Sequence, residues 1–390
     1  VSLQPESEQR VTPLELLFDL VFAFGFTQVT ALIFYDPSWS GVGKGLLTIT
    51  ALWWAWSSYS WLTSTVDTNS GPVSAAMLAA MGGMFVAALA VPGIFGHQGG
   101  TFGISFFIVN FMFVALFALT SRNETELFAA ILRIAPVVLT AATLIAVAGF
   151  VHGMLRTTLW LLALVVGLFG PLLRGMSGWR LQPAHFIERH GLIVIIAIGE
   201  SLIAIGIGAR HTELSAGVIF AAVLGLVVVI SFWLAYFDFF PQRARQMLAD
   251  RSGEQRTALA RDVFTYFHLP MVAGIILFAF AMRATLVHVG SDLDTVRAFG
   301  LTCGPSLYLF AFIGIRFRVS RSFGRGRFLA AIVLAALLPV ARVVPGLAAV
   351  SLVAFVFVVL HAYELIWWHD ARAAVRASGA TLESRTETDS

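Results

Sequence analysis

Charge is what this sequence has least of. Of its 390 residues, only 12% are Asp, Glu, Lys or Arg, about half the share found in an average soluble domain. A soluble protein of this length could not cover its own surface with so few. The chain is 58% apolar, with mean hydropathy +0.85. These values exclude a soluble enzyme, a nucleic-acid-binding domain and a disordered chain. Lysine is nearly missing: Lys44 stands alone against 24 arginines. The pI of 9.3 therefore comes from arginine and fits loops facing an anionic leaflet, with no nucleic acid as partner. One cysteine, Cys303, excludes an intramolecular disulfide and any multi-cysteine metal site. A basic leader is also lacking. Residues 1–13 hold Glu6, Glu8 and Arg10, so the first apolar run is read as a membrane span and not as a secretory signal.

Long apolar runs are what the sequence has. A span needs roughly 20 mostly apolar residues, and twelve such runs follow one another: 14–35, 41–62, 73–95, 101–120, 125–150, 157–173, 184–208, 214–240, 262–287, 296–316, 327–344 and 346–368. No alternating pattern of barrel strands competes with helices, and lipid tolerates no unpaired backbone. The expected fold is one all-α membrane domain of about twelve transmembrane helices over residues 1–370. The polar residues 371–390 are expected to form a disordered cytoplasmic tail. Basic residues divide unequally between the two sets of loops. Seventeen fall on one side, and six fall on the other: Lys44, Arg156, Arg210, Arg283, Arg297 and Arg342. The positive-inside rule then puts both termini in the cytoplasm, in the plasma (inner) membrane. The longest internal loop, 241–261, lies on the basic side and reads as a solvated amphipathic connector, with a regulatory role as the competing reading.

An internal repeat is visible. ELLFDLVFAFGFTQ begins at Glu15, and ERHGLIVIIAIGES begins at Glu188. Both open on Glu and carry a polar pair at the same distance, Thr27-Gln28 and Glu200-Ser201. Aromatic residues recur in the next span of each half, Trp53, Trp54 and Trp56 against Phe232, Trp233 and Tyr236. Two six-helix pseudo-repeats of like topology, 11–174 and 183–368, are expected.

Ionisable residues inside a span cost about 2.5–3.5 kcal/mol on insertion scales and usually face a cavity or a partner. Glu15 and Asp19 stand one helical turn apart on one face. Glu15 is read as an interfacial pair with Arg10 or as part of a pathway. Asp19 is read as a salt bridge to Arg133 or Arg189, or as a solute or proton site. His185, Glu188, Arg189 and His190 are either an ordinary helix start or a polar cluster. His268, just before Pro270, either satisfies carbonyls freed by the proline or joins the pathway. Glu200 lies about 18 Å along the helix from Glu188, among apolar neighbours, and reads as a protonatable functional group. His185/Glu188 and His361/Glu364 share the His-x-x-Glu spacing, which places both side chains on one helical face and makes them weak metal-ligand candidates. No metal or other cofactor is called for. No P-loop, nucleophile elbow or HExxH is present, so an enzyme is not the leading reading.

Four stretches are specific: TPLELLFDLVFAFGFTQVTAL, PAHFIERHGLIVIIAIGESLIAIGIG, ARDVFTYFHLPMVAGIILFA and CGPSLYLF. They resemble the signatures of the bacterial low temperature requirement protein A family over about residues 10–370. The resemblance implies a multi-pass inner-membrane protein tied to growth at low temperature, and it marks Glu15, Asp19, Glu188, Arg189, Glu200 and His268 as motif residues. The expected partners are the lipid bilayer and a small solute or ion. Proton-linked transport leads. An intramembrane His/Glu enzyme and a non-transporting stress-adaptation factor are the alternatives.

Overall fold

A computed structural model describes residues 11–210 and 212–367. The expected disordered tail, and Arg10 with it, lie outside the described residues. The chain folds as a series of helices: α1 Pro13–Tyr35, α2 Trp39–Thr63, α3 Gly71–Leu89, α4 Gly99–Ser121, α5 Thr125–Ala148, α6 Gly153–Arg174, α7 Pro183–Ala209, α8 Ala216–Phe237, α9 Phe240–Ala249, α10 Gly253–Ala260, α11 His268–Val287, α12 Thr295–Ser320, α13 Arg325–Ala336, α14 Leu338–Ala341 and α15 Gly346–Trp367. Each of the twelve expected spans meets a helical stretch. Among the described residues, ten stretches are long and apolar enough to cross a membrane by length and composition. The two others are α2, whose polar residues are mostly buried inside the protein, and the short broken pair α13–α14.

Local chemistry starts and stops these helices. α1 opens on Thr12-Pro13-x-Glu15, a capping box in which the Thr12 hydroxyl accepts from the Glu15 N–H and the Glu15 carboxylate accepts from the Thr12 N–H. Ser38, Ser215 and Asp294 cap α2, α8 and α12 more simply, each side chain accepting one backbone N–H of the first turn. The break between α5 and α6 is real: His152 is extended, and Gly153 takes φ +63. The break before α15 is real as well, because the Gly346 N–H leaves the helix to donate to Ser291 O at 2.9 Å.

The expectation for 241–261 is met in part. The segment is an amphipathic connector with a solvated face, but it forms two short helices whose Ala244, Met247, Leu248 and Leu259 are buried, with α9 packed against α7 and α8. Its basic residues Arg243 and Arg245 stay exposed.

Helix α11 lies at the centre, buried along nearly its whole length and packed on α1, α7 and α12. Its approach to α12 requires glycine. A Cβ on Gly274 would sit 2.5 Å from the Gly304 carbonyl oxygen, and one on Gly304 would sit 2.8 Å from the Gly274 carbonyl. Backbone against backbone is how small residues let membrane helices associate without a hydrophobic drive. Leu132, Leu161, Ile203, Phe220 and Val358 are among many large apolar side chains that remain exposed, the surface that a bilayer covers. Helix α1 packs on α2, α3, α7 and α11. Helices α1 and α7 run in the same direction, because residues 15, 19 and 27 meet residues 185, 189 and 200 in order.

Candidate functional site

The seam between α1 and α7 collects the buried carboxylates and most of their ionisable neighbours. At its start, the Glu15 carboxylate, already fixed by the Thr12 N–H at 2.8 Å, meets His185 Nε2 at 3.0 Å and lies 3.5 Å from Arg189 Nη1. One turn further, Arg189 Nη2 donates to Asp19 Oδ1 at 2.5 Å. The same oxygen accepts the Trp56 indole N–H at 2.8 Å. Arg189 also donates to Thr63 Oγ1 at 3.1 Å, and its guanidinium lies over the Trp56 ring. Glu15, Asp19 and Arg189 are fully buried. Two carboxylates against one guanidinium leave one negative charge, so a single proton, on His185 or on an acid, makes the cluster neutral. Asp19 Oδ2, Arg189 Nε and His185 Nδ1 have no hydrogen-bond partner. Such a partly satisfied buried network is costly and sensitive to charge.

A second group stands beside it. His268 Nδ1 faces the Val263 carbonyl at 2.9 Å, and its Nε2 faces the Tyr236 hydroxyl at 2.9 Å. A carbonyl only accepts, so the proton belongs on Nδ1, and Tyr236 donates to Nε2. The Val263 carbonyl is not one that Pro270 frees, so His268 does not take the carbonyl-satisfying role expected for it. Residues Arg261–Tyr266 form a wide π-helical turn, a feature that often marks functional places. Pro270 has no N–H to return to this turn, and the Thr265 carbonyl instead accepts the Trp53 indole N–H at 2.8 Å. His190 donates from Nδ1 to Phe186 O at 2.8 Å. Its ring lies 4.8 Å from Trp56 and 5.4 Å from His268, bridging the two groups, and its buried Nε2 has no partner.

Glu200 forms the third group, further along the same seam. It is 2% exposed and accepts the Thr27 hydroxyl proton at 2.5 Å. Arg283 of α11 is a buried cation nearby. That guanidinium packs 3.9 Å over the Phe34 ring. The turns of α1 and α7 between the first and third groups carry buried Phe22, Phe26, Val194 and Ala197. Eight residues of α1 separate Asp19 from Thr27, about 12 Å along the axis.

Of the two cations expected for Asp19, Arg189 pairs with it, and Arg133 donates to the Ser177 carbonyl. Other expectations change. Glu188 does not share the face of His185: it is exposed and accepts the Val11 N–H at 3.3 Å, while His185 turns inward to Glu15. Glu364 pairs with Arg327 at 2.7 Å and lies 3.8 Å from His361. Among the described residues, no group of three or more His, Cys, Asp or Glu is placed to hold a metal. Arg283, assigned to a loop from the sequence, is a buried residue of α11. Trp56, Thr63, Tyr236 and Arg283 were not marked as site residues. The signal for the first two was the low hydropathy of α2, whose indoles, Ser and Thr are turned inward.

These features define a multi-pass helical membrane protein with most of its buried ionisable groups along one helix pair. The chain matches the family described as "Bacterial low temperature requirement A protein (LtrA)" over residues 10–362 and belongs to it. An uncharacterized protein of Rhizobium meliloti (strain 1021) is 32% identical over 307 residues, covering 76% of this chain and 74% of the relative. No solved structure matches the chain.

Proposed function

We propose that this protein is a carrier in the bacterial inner membrane, moving a small solute with linkage to protons, with both termini cytoplasmic. One observation carries the proposal. The α1–α7 seam holds two buried ionisable clusters, Glu15/Asp19/His185/Arg189 and Glu200/Thr27, separated by an apolar stretch. A carrier must bind from each side in turn across a closed barrier, typically at the interface of its repeats. Each cluster holds a carboxylate beside hydrogen-bond donors, so each changes charge with one proton. In this reading Glu200 binds and releases the transported proton, and Arg189 balances the acids at the other end.

The repeat is part of the proposal: residues 11–174 and 183–368 are taken as two related halves. Supporting it, most of the neighbour pairs among α1 to α6 recur in order among α7, α8, α11, α12, α13 and α15. The orientation rests on the arginine asymmetry.

The test is Glu200→Gln, which keeps shape and removes the charge change. Assayed in a strain lacking the gene, with membrane abundance measured alongside, it is expected to insert at normal levels and to fail to restore growth in the cold. Full restoration at normal abundance would defeat the proton-linked reading. A second reading, a membrane adaptation factor without transport, is favoured by the mutual pairing of Glu15, Asp19 and Arg189, which suits a static tie. On that reading Glu200→Gln is fully active, and only variants that break the tie lose function.

A further inference from the structure

A partly open cleft lies at the arginine-rich end of the bundle, away from the α1–α7 seam, among α2, α5, α6 and the π turn. Its inner walls are largely apolar and aromatic, with Trp54, Trp61 and Trp179 among them. Trp61 and Trp179 meet edge to face, with ring centroids 5.4 Å apart. The Trp61 N–H is already given to Thr265 Oγ1 at 3.0 Å, so that indole offers the cleft its ring and not its donor.

Three guanidiniums also line this apolar space: Arg133, Arg174 and Arg261. Their bookkeeping is uneven. Arg261 is matched by Asp262 at 2.7 Å, a carboxylate that Arg318 also shares. Arg133 has only the neutral Ser177 carbonyl. Arg174 closes α6, and among the described residues neither it nor Arg133 pairs with a carboxylate. The nearby Glu254 accepts the Met176 N–H at 3.4 Å. Beside the cleft, Leu132, Leu172 and Leu173 are exposed to the lipid side. The part-buried Arg133 against an apolar wall calls for a counter-ion, and Arg174, exposed at the mouth of the cleft, adds a second guanidinium beside it. Arginine meets a carboxylate or similar anion through paired hydrogen bonds.

We infer that the cleft binds an amphiphilic organic anion, with a flat or chain-like apolar body against the tryptophans and one acidic group between Arg133 and Arg174. The acid can come from the cytoplasm, as an aromatic carboxylate, or from the leaflet, as a fatty acid. The shared chemistry is one carboxylate on an apolar body. The inference goes beyond the carrier proposal and does not need it, because no residue of the seam clusters lines the cleft.

The experiment uses the full chain in phosphatidylcholine nanodiscs and equilibrium dialysis of 2-naphthoate, with empty nanodiscs subtracted. 2-Naphthylmethanol, of similar shape and without charge, is the comparison. The expected result is saturable binding of the acid at least roughly tenfold tighter than the alcohol. Arg133→Gln and Arg174→Gln should each weaken it by about tenfold, Arg133→Lys should recover part of it, and Arg325→Gln should leave it unchanged. Arg174 is exposed at a helix end, so its variant remains readable even if Arg133→Gln fails to fold. Displacement by palmitate supports the site with a leaflet source. Displacement by soluble aromatic acids alone supports it with a cytoplasmic source. Equal binding of acid and alcohol, or undiminished binding in Arg174→Gln, overturns the inference. A loss of naphthoate binding with intact cold growth in Arg174→Gln would leave the carrier proposal standing.

Discussion

At the scale of single residues, Arg189 holds the most. It touches Glu15, Asp19 and Thr63 at once, and its removal leaves two buried acids facing each other. Arg189→Met is expected to cost about 3–5 kcal/mol, as for breaking a buried pair from one side. Reversible denaturation in mixed micelles, or the thermal midpoint in detergent, measures it. Arg189→Lys keeps the charge but cannot span both acids, so an intermediate loss is expected. Asp36, in the turn after α1, offers a small effect of known sign. The Ser38 hydroxyl at 2.6 Å and the Lys44 ammonium at 3.0 Å hold its carboxyl below the usual aspartate value. Its stabilising contribution is therefore present above the unfolded value of about 3.9 and is lost as pH falls through the lower folded value. The pair is exposed and worth under about 1 kcal/mol. Asp36→Asn should lower the midpoint slightly at pH 7 and by a vanishing amount near pH 2. The acids of the seam were legible in the sequence because charge inside an apolar run is conspicuous. Their partners were not: His185 pointed to Glu188 by spacing, and only the packing of α7 on α1 turns it to Glu15.

At the scale of elements, the α11–α12 crossing and the π turn make separate predictions. Gly304→Val puts a branched side chain where only backbone fits. A loss of about 3 kcal/mol or more is expected, with mixed-micelle denaturation as the check, since overpacking alone costs about 1–3. His268→Phe fills the ring space but strands the Val263 carbonyl and the Tyr236 hydroxyl, at about 1–3 kcal/mol each. His268→Gln, which can still bond, should lose less. The helices themselves were readable, because about twenty apolar residues between turn residues leave one economical reading. The docking of α9 and α10 was not. Their apolar residues Ala244, Met247, Leu248 and Leu259 are too few and too spaced to declare a buried face before α7 and α8 provide one for α9 and the π turn provides one for α10.

At the scale of the whole molecule, two further outcomes are expected. Reporter fusions after residue 370 and within 241–258 should both report cytoplasm, and a periplasmic signal from either would reverse the bundle. An experimental structure should overlay at least four helices of residues 11–174, in order, on 183–368. Fewer would remove the repeat. Global arrangement was the least legible level, since apolar helices differ little in sequence. Parallel alignment of α1 with α7 rests on contacts such as Thr27 with Glu200, both flagged as members of matched polar pairs without any sign that they touch.

The glycine crossing of α11 and α12 has a thermal consequence. In water, a folded core is held by a drive that fades on cooling, because apolar hydration carries a large heat capacity. Inside lipid that drive is absent between helices, and contact rests on dispersion and hydrogen bonds. Gly274 against Gly304, with Arg189 against its acids, is a set of contacts whose strength does not depend on the heat capacity of water. Such a bundle keeps its internal fit as temperature drops and leaves the surrounding lipid to stiffen first.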